Sequence, residues 1–296
     1  MTPAAQTPSS KNSQVLVTGE FAFSAANFRE IASLVKSEAG IDLPESKATL
    51  VYSRLAKRLR ALGIETFSDY CATVREDEGE RGSMIAALTT NVTRFFREPH
   101  HFDHLRTVVL EPLAEAAQRG NRIRLWSAAC SSGQEPYSMA LTVLSVIPNA
   151  ASLDVRILAT DLHPHVVAHG KKGVYQKEEL RDIPANMRGK LDPASSDARS
   201  GFFKIGDEAR SLVSFRELNL MGAWPVKGPF DAIFCRNVVI YFDRDTQNVI
   251  WGRLTRLLGE RGALYIGHSE RVSGPAAAIL TTDGITSYVK KGSNQS

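Results

Sequence analysis

From about residue 122 onward, four apolar runs of strand length alternate with helical stretches, and no other feature limits the fold of this chain as tightly. The runs are RIRLWSAA, DVRILATD, FDAIFCRN and GALYIGHS, and the helical stretches include 136–147 and 244–258. Strands this continuously apolar, separated by helices, build a parallel sheet covered on both faces. A further helix is expected just after Asp161. Between Gly173 and Phe215 the pattern loosens through DPASSDARSG, FFKIG and LVSFRELN, which reads as a small strand-rich insertion over about 174–215. With 296 residues, 43% of them apolar and 23% charged, the chain can build one large core or two smaller ones. It contains no apolar run long enough to span a membrane.

The first part of the chain reads differently. Residues 1–18 are polar, lack a basic-then-apolar signal pattern, and read as a flexible tail. Residues 19–76 read as a helical domain. SAANFREIASLVKSEAG opens on a capping Ser24, places Phe28, Ile31 and Val35 on a helical period, and stops at Gly40. A second helix runs from near Pro44 to Gly63, with Val51, Leu55, Leu59 and Leu62 as its apolar stripe. Beside that stripe lie Lys47, Arg54 and Arg58. Two readings of them stand: a solvated helix face, or a docking surface for an acidic partner. TFSDYCATV begins a third short helix, and residues 77–90, within and after REDEGERG, read as a charged linker. Cys71, Cys130 and Cys235 are far apart with no CxxC pair, which favours reduced cytoplasmic thiols over disulfides or zinc. A formal charge of +4, from 36 basic and 32 acidic residues, is too small to imply nucleic acid by itself.

Open parallel sheets bind ligands beyond the carboxyl ends of their strands. Four polar segments fall there: CSSGQEP, TDLHP, Asn219 with Leu220, and CRNVVIYFD. Asp161 closes the second strand, where an acid can accept hydrogen bonds from ribose hydroxyls or cap the following helix. The first loop, within RLWSAACSSGQEPYSMAL, has one glycine, Gly133, where dinucleotide loops have several, and it carries Glu135. A carboxylate repels a pyrophosphate and attracts a cation. A cationic nucleoside without phosphate satisfies both facts, and S-adenosylmethionine is such a molecule. TTNVTRFFREPHHF, 89–102, sets polar groups among aromatics, either as a functional segment or as a helix cap at Asn91 or Thr93 leading into an amphipathic turn.

These stretches, with ILATDL, VSFRELNL, GPFDAIFCRNVVIYFD and GALYIGHSE, recur in family order over about residues 20–290. Jointly they resemble the chemotaxis receptor protein-glutamate methyltransferases, the CheR family. The resemblance implies an α/β fold: a Rossmann-like S-adenosylmethionine-dependent methyltransferase domain over 91–291 with a small antiparallel β insertion, preceded by an all-α receptor-docking domain. It implies methyl transfer to glutamate side chains on receptor signalling helices, giving methyl esters for sensory adaptation and S-adenosylhomocysteine as the other product. By the same resemblance, Asn91, Thr93 and Arg97 lie in a segment that closes over the cofactor. Glu135 meets its amino group, and Asp161 holds its ribose. Asn219 with Leu220, and Asn237 with Val238, line its adenine and methionine ends. Arg97 and Tyr241 are the candidates for orienting the reacting groups, although Tyr241 lies in strand-like VVIYF, where core packing is the other reading. One departure stands out: the family loop usually has two adjacent acids before the proline, and here the first is replaced by Gln134 and only Glu135 remains. Binding is expected to survive with slightly less negative potential near the sulfonium. In some members the insertion also pairs with a receptor tail by β-augmentation, and DPASSDARSGFFKIG occupies that region here.

The chemistry asks little of the protein's acids and bases. A glutamate with a reference pKa near 4.3 is ionised at neutral pH, and the leaving thioether is neutral, so neither a strong base nor a metal is needed. Orientation alone can supply about 7–11 kcal/mol. Arg97 has the shape to fork either the substrate carboxylate or the cofactor's own. His100, His101 and His268 are expected to be structural, Trp126 to be core, and Cys235 a buried small hydrophobe. Acidic receptor helices suit the basic stripe of Lys47, Arg54 and Arg58. The expected partner is the cytoplasmic helical signalling region of chemoreceptors, with a receptor C-terminal tail as a further contact. Nucleic acid, membrane insertion and an oligomer are not expected. Two rivals remain: a methyltransferase for small molecules or nucleic acid, which gives the helical domain no role, and a non-catalytic binder of adenosylmethionine or receptor, toward which Gln134 alone leans.

Overall fold

The computed structural model describes residues 14–89, 93–192 and 201–291. The chain divides into two compact units, Met1–Thr90 and Asn91–Ser296.

In the first unit a short ribbon, β1 (Val15–Val17) against β2 (Phe23–Ser24), leads into four helices, α1 (Ala25–Ala39), α2 (Ala48–Leu62), α3 (Phe67–Glu76) and α4 (Glu78–Leu88). Part of the expected tail is therefore ordered: the β-favouring Val-Leu-Val run pairs with the segment before α1, while residues 1–13 lie outside the described residues. Ser24 and Asn27 form a reciprocal cap on α1, and Gly40 and Gly63 end α1 and α2 as the periodicity predicts. Val51, Leu55 and Leu59 are fully buried, but Leu62, assigned to the same stripe, is 44% exposed because α2 ends there.

The expected linker at 77–90 is largely helix α4. Asp77 caps it by accepting from the N–H groups of Gly79 and Glu80, and Met84, Ile85 and Leu88 are buried. Its charged look misled because Glu80 is 5% exposed, ion-paired with Arg58 and hydrogen-bonded by the Tyr70 hydroxyl at 2.8 Å. The basic stripe is thus partly committed within this unit. Arg58 neutralises Glu80, and Arg54 donates to the Leu88 carbonyl at 2.6 Å, at the C-terminal end of α4 where a cation is favoured. Lys47 is exposed.

The second unit opens with α5 (His100–His104), a π-helical turn (Leu105–Leu110) and α6 (Glu111–Gln118). A seven-stranded sheet follows. Its strands are β3 (Ile123–Ala128), β4 (Val155–Asp161), β7 (Val213–Glu217), β8 (Phe230–Cys235), β9 (Leu258–Ile266), β10 (Leu280–Thr282) and β11 (Ser287–Lys290), in the order β10-β11-β9-β8-β3-β4-β7. The five strands from β9 to β7 are parallel, β11 runs antiparallel to β9, and β10 antiparallel to β11. Helix α7 (Gln134–Val146) packs on β3 and β4 with every residue from Pro136 to Leu144 buried, and α10 (Arg244–Leu257) packs on β9 through its buried Ile250, Trp251 and Leu254. Helix α8 (Pro164–Lys172) starts just after Asp161, as expected.

The insertion is smaller than its sequence suggests. β5 (Val174–Gln176) and β6 (Phe202–Lys204) form an antiparallel pair, followed by α9 (Asp207–Leu212), but Val213–Glu217 is strand β7 of the main sheet, parallel to β4. Being an edge strand, β7 buries Phe215 and exposes Ser214 and Arg216, so it lacks the continuous apolar run of the inner strands. Residues 193–200, most of DPASSDARSG, lie outside the described residues.

Candidate functional site

Strands β7, β4, β3 and β8 are neighbours and parallel, so the segments leaving their carboxyl ends share one rim. Asn219 and Leu220 follow β7, Asp161 ends β4, residues 129–135 follow β3, and residues 236–241 follow β8. The single glycine of the β3 loop has a packing cause. Gly133 has φ +100°, and a Cβ there would lie 2.7 Å from the Tyr175 hydroxyl and 2.9 Å from the Gly170 Cα. It caps α7 and is not one of several glycines cradling a phosphate.

Two acids dominate the rim. Asp161 is 7% exposed; it accepts from the Ser131 N–H at 2.8 Å and the His163 N–H at 3.1 Å, and so ties the β3 and β4 loops together. It is not the cap of α8, whose N-cap residue is His163. An ionised carboxylate offers about four acceptor sites, which leaves room for hydroxyl donors. Burial pushes its pKa up while the backbone N–H donors oppose the rise. Glu135, in the first turn of α7, accepts from the Ser127 hydroxyl at 2.7 Å and from Arg236 Nη1 at 3.1 Å. Burial raises its pKa as well, against the pull of Arg236 and Ser127. Gln134 faces elsewhere: its amide donates to Glu179 at 3.0 Å and accepts from the Ser132 hydroxyl at 2.8 Å. A second acid at 134 would confront Glu179, so the departure from the family pattern satisfies a local hydrogen bond and leaves the Glu135 contacts untouched.

The 93–98 segment is anchored by its aromatics. Phe95 is buried against Tyr175 and Phe203, Phe96 packs on Phe102, and the Phe96 N–H donates to the Ser138 hydroxyl at 2.9 Å. Thr93 and Arg97 are half-buried on this segment; Asn91 lies outside the described residues. Arg236, directly after β8, donates to the Arg97 carbonyl and lies 3.1 Å from Glu98 Oε2.

Asn237 and Val238 are held by a residue to which the sequence reading gave no role. Glu270 accepts five backbone N–H groups, those of Asn237, Val238, Val239, Ile240 and Gly267. Burial pushes its pKa up, and the N–H donors of Gly267, Asn237, Val239 and Ile240 oppose the rise. Gly267 lets the Asn237 side chain approach, since a Cβ there would sit 2.3 Å from Asn237 Nδ2. Tyr241 is not on a strand: it ends a half-buried 3₁₀ turn, Val239–Tyr241, beyond β8. Asn219 accepts the Met221 N–H at 2.9 Å, and the carbonyl of buried Leu220 receives Trp224 Nε1 at 3.1 Å and Arg253 Nη1 at 3.0 Å. Glu98, Arg236 and Glu270 all stand inside motifs visible in the sequence, FRE, CRN and HSE, but their partners are up to 170 residues away, so no local spacing marks them.

Glu98, His100 and His101 each bring one possible ligand atom within 4.8 Å of the others. His101 is fully buried and bonded through Nε2 to Thr286 Oγ1 at 2.8 Å and toward the Ile285 carbonyl. Burial, with Arg236 and His100 nearby, pushes its pKa down to about 3, so it is neutral at pH 7. The donor types suit a metal, but the fixed guanidinium of Arg236 against Glu98 opposes a divalent cation there. Exposed His268 pairs with Glu98 at 3.2 Å, Trp126 is core with its Nε1 donating to Thr160 Oγ1 at 3.0 Å, and Cys235 is buried.

Residues 91–286 match the family model described as CheR methyltransferase, SAM binding domain, and residues 26–89 match its all-alpha domain. A probable chemotaxis protein methyltransferase of Rhizobium etli is 51% identical over 86% of this chain and 96% of its own length. Chemotaxis protein methyltransferase 2 of Pseudomonas aeruginosa is 40% identical over 95% of this chain and 99% of its own. The chemotaxis protein methyltransferase of Escherichia coli is 38% identical over 87% and 88% respectively.

Proposed function

This chain belongs to the CheR methyltransferase family, and from that premise we propose how its rim performs the family's reaction. The protein methylates glutamate side chains of chemotaxis receptors from S-adenosylmethionine and forms glutamate methyl esters. When bound, that cofactor supplies a methyl group on a cationic sulfur. The observation that carries the site assignment is the pairing of two acids, Glu135 in the first turn of α7 beyond β3 and buried Asp161 at the end of the adjacent parallel strand β4, without a phosphate-binding glycine loop. Glu135 meets the ammonium, Asp161 accepts from the ribose hydroxyls, and Asn219, Leu220, Asn237 and Val238 line the two ends of the cofactor. Asn91, Thr93 and Arg97 close over it and exclude water. Arg97 and Tyr241 orient the receptor carboxylate, which needs no activating base because it is already ionised at neutral pH.

The receptor's helical signalling region docks on the first unit, with exposed Lys47 as a contact whose side chain enters none of the described hydrogen bonds and ion pairs. Arg54 and Arg58 serve that surface while also holding α4. A receptor tail is a further candidate partner for the β5–β6 insertion. The reaction runs in the cytoplasm, in a monomer, without metal, nucleic acid or membrane insertion; no described helix is long and apolar enough to cross a membrane. The test is transfer of labelled methyl to a purified receptor fragment, with the label released as methanol by mild base and with activity retained after dialysis against a chelator. Label that resists base would contradict ester formation.

A further inference from the structure

Arg236 is a cation with 2% of its side chain exposed and three anionic or carbonyl partners. Its Nη1 lies 3.1 Å from Glu135 Oε2, its Nη2 lies 3.1 Å from Glu98 Oε2, and the same Nη2 donates to the Arg97 carbonyl. The guanidinium is also 5.8 Å from the ring centres of Phe102 and Phe234. It therefore touches the cofactor acid on α7, the backbone beside Arg97 and the acid that follows it, from a position directly after β8. Lysine cannot reproduce this, because a guanidinium presents a planar fork to several acceptors and an ammonium is a single point.

We propose that Arg236 is a positioning residue that locks the 93–98 segment to the cofactor acid, holding Glu135 ionised for the cofactor's ammonium and fixing the backbone of Arg97 over the site. The proposal rests on the reading that Glu135 meets the ammonium. A buried carboxylate needs such a partner, since burial alone favours its neutral form. The other groups facing Glu135 oppose ionisation or are neutral: Glu98 from the 93–98 segment repels it, and the thiols of Cys130 and Cys235, from the loop after β3 and the end of β8, are held protonated by burial. The Ser127 hydroxyl on β3 is the one further donor to the carboxylate among the described residues. On the far side, His101 is neutral and adds no charge.

The sign of the effect follows. Binding of S-adenosylhomocysteine, which carries the same ammonium, falls as pH drops through the pKa of Glu135 in the free protein. Arg236→Gln removes the stabilising charge and moves that acid limb to higher pH. Glu98→Gln removes the repelling charge and moves it to lower pH. Arg236→Lys restores the limb but not the placement of Arg97, so its kcat on receptor stays low while its affinity recovers.

Calorimetric titration of the full chain with S-adenosylhomocysteine between pH 5 and 8, beside methyl transfer to a receptor fragment, tests this. The expected result is a limb shifted up by about one unit in Arg236→Gln, equivalent to about tenfold weaker binding on the limb. Glu135→Gln is the control for the underlying reading: if it binds as tightly as the natural protein, that reading fails. If Glu135→Gln weakens binding but the Arg236→Gln profile overlays the natural one, the role given to Arg236 fails. Should Arg236→Gln not fold, Arg236→Lys decides: natural affinity with a lowered kcat on receptor supports the role, and an unchanged kcat overturns it. A purely structural Arg236 would lower stability in both arginine variants without moving the limb.

Discussion

Replacing Glu270 by glutamine should loosen the loop that carries Asn237 and Val238. The carboxylate is 5% exposed and serves five N–H donors: Oε1 takes Val238, Val239 and Ile240 at 3.0, 2.8 and 3.3 Å, and Oε2 takes Gly267 and Asn237 at 2.6 and 3.0 Å. A glutamine of the same shape keeps one acceptor oxygen. Placed toward the three-donor side, it turns an NH₂ group against the N–H groups of Gly267 and Asn237. Each buried donor left without an acceptor costs about 1–3 kcal/mol, so the pair costs about 2–6 kcal/mol. Relief from burying a charge offsets part of this, because burial disfavours the ionised form of Glu270, which leaves about 1–4 kcal/mol. The loop can open locally without global unfolding, and in that case the loss falls on the cofactor site. A loss of 2 kcal/mol there is about a 30-fold weaker dissociation constant for S-adenosylhomocysteine. Calorimetry for affinity and urea denaturation for stability read the two routes separately. Glu270→Gln within about 0.5 kcal/mol of the natural protein in stability and twofold in affinity would refute the reasoning.

Arg97→Ala should cut receptor methylation more than about tenfold, one bidentate carboxylate contact's worth, and near-normal turnover with purified receptor would take Arg97 off the catalytic assignment. Reversing exposed Lys47, just before α2, and exposed Lys57, on α2 at the border of the basic stripe, to Glu should weaken receptor methylation and leave S-adenosylhomocysteine affinity intact; equal methylation rates across receptor concentrations would argue against docking there. Arg58→Glu is a poorer probe, since it strands the buried carboxylate of Glu80 and should cost about 3–5 kcal/mol in urea denaturation. His101, with a pKa near 3, stays neutral while the unfolded chain takes a proton below about pH 6.5, so its contribution to stability is lost as pH falls from about 7 toward 3. His101→Gln should flatten the stability profile between pH 7 and 5 by up to about 1.4 kcal/mol per unit, and parallel profiles would contradict the buried neutral imidazole.

What was legible in the chain was what depends on near neighbours. The inner strands declared themselves because burial on both faces demands unbroken apolar runs, and Ser24, Gly40 and Gly63 marked helix ends through local hydrogen bonding. β7 was misassigned because an edge strand needs apolar residues on one face alone, and α4 because the partners that neutralise Glu80, Tyr70 and Arg58, stand 10 and 22 residues away. The same limit explains the site. Glu135 and Asp161 were visible as acids at strand ends, whereas Arg236 and Glu270 act across the fold, on Glu135 101 residues off and on Asn237 33 residues off. Their types fit no local spacing rule, and each is defined by what it satisfies.

The backbone at the rim supports an account of catalysis by positioning. Six non-glycine residues have positive φ among the described ones, and five of them, Phe96, Glu98, Ala129, Ser131 and Asn237, lie on the 93–98 segment or the loops after β3 and β8. Each such conformation costs on the order of 1 kcal/mol or more and persists only where neighbours over-determine it. At four of the five they do: Ser131 is fixed by Asp161, Phe96 by Ser138, Asn237 by Glu270 and the segment at Glu98 by Arg236. Methyl transfer between an ionised carboxylate and a cationic donor needs no proton moved, so what remains for the protein is to hold the two in line and keep water out. A rim on which each of the three segments is tied down by a side chain of a different element is suited to that task, because it cannot relax one loop without breaking a bond to the next.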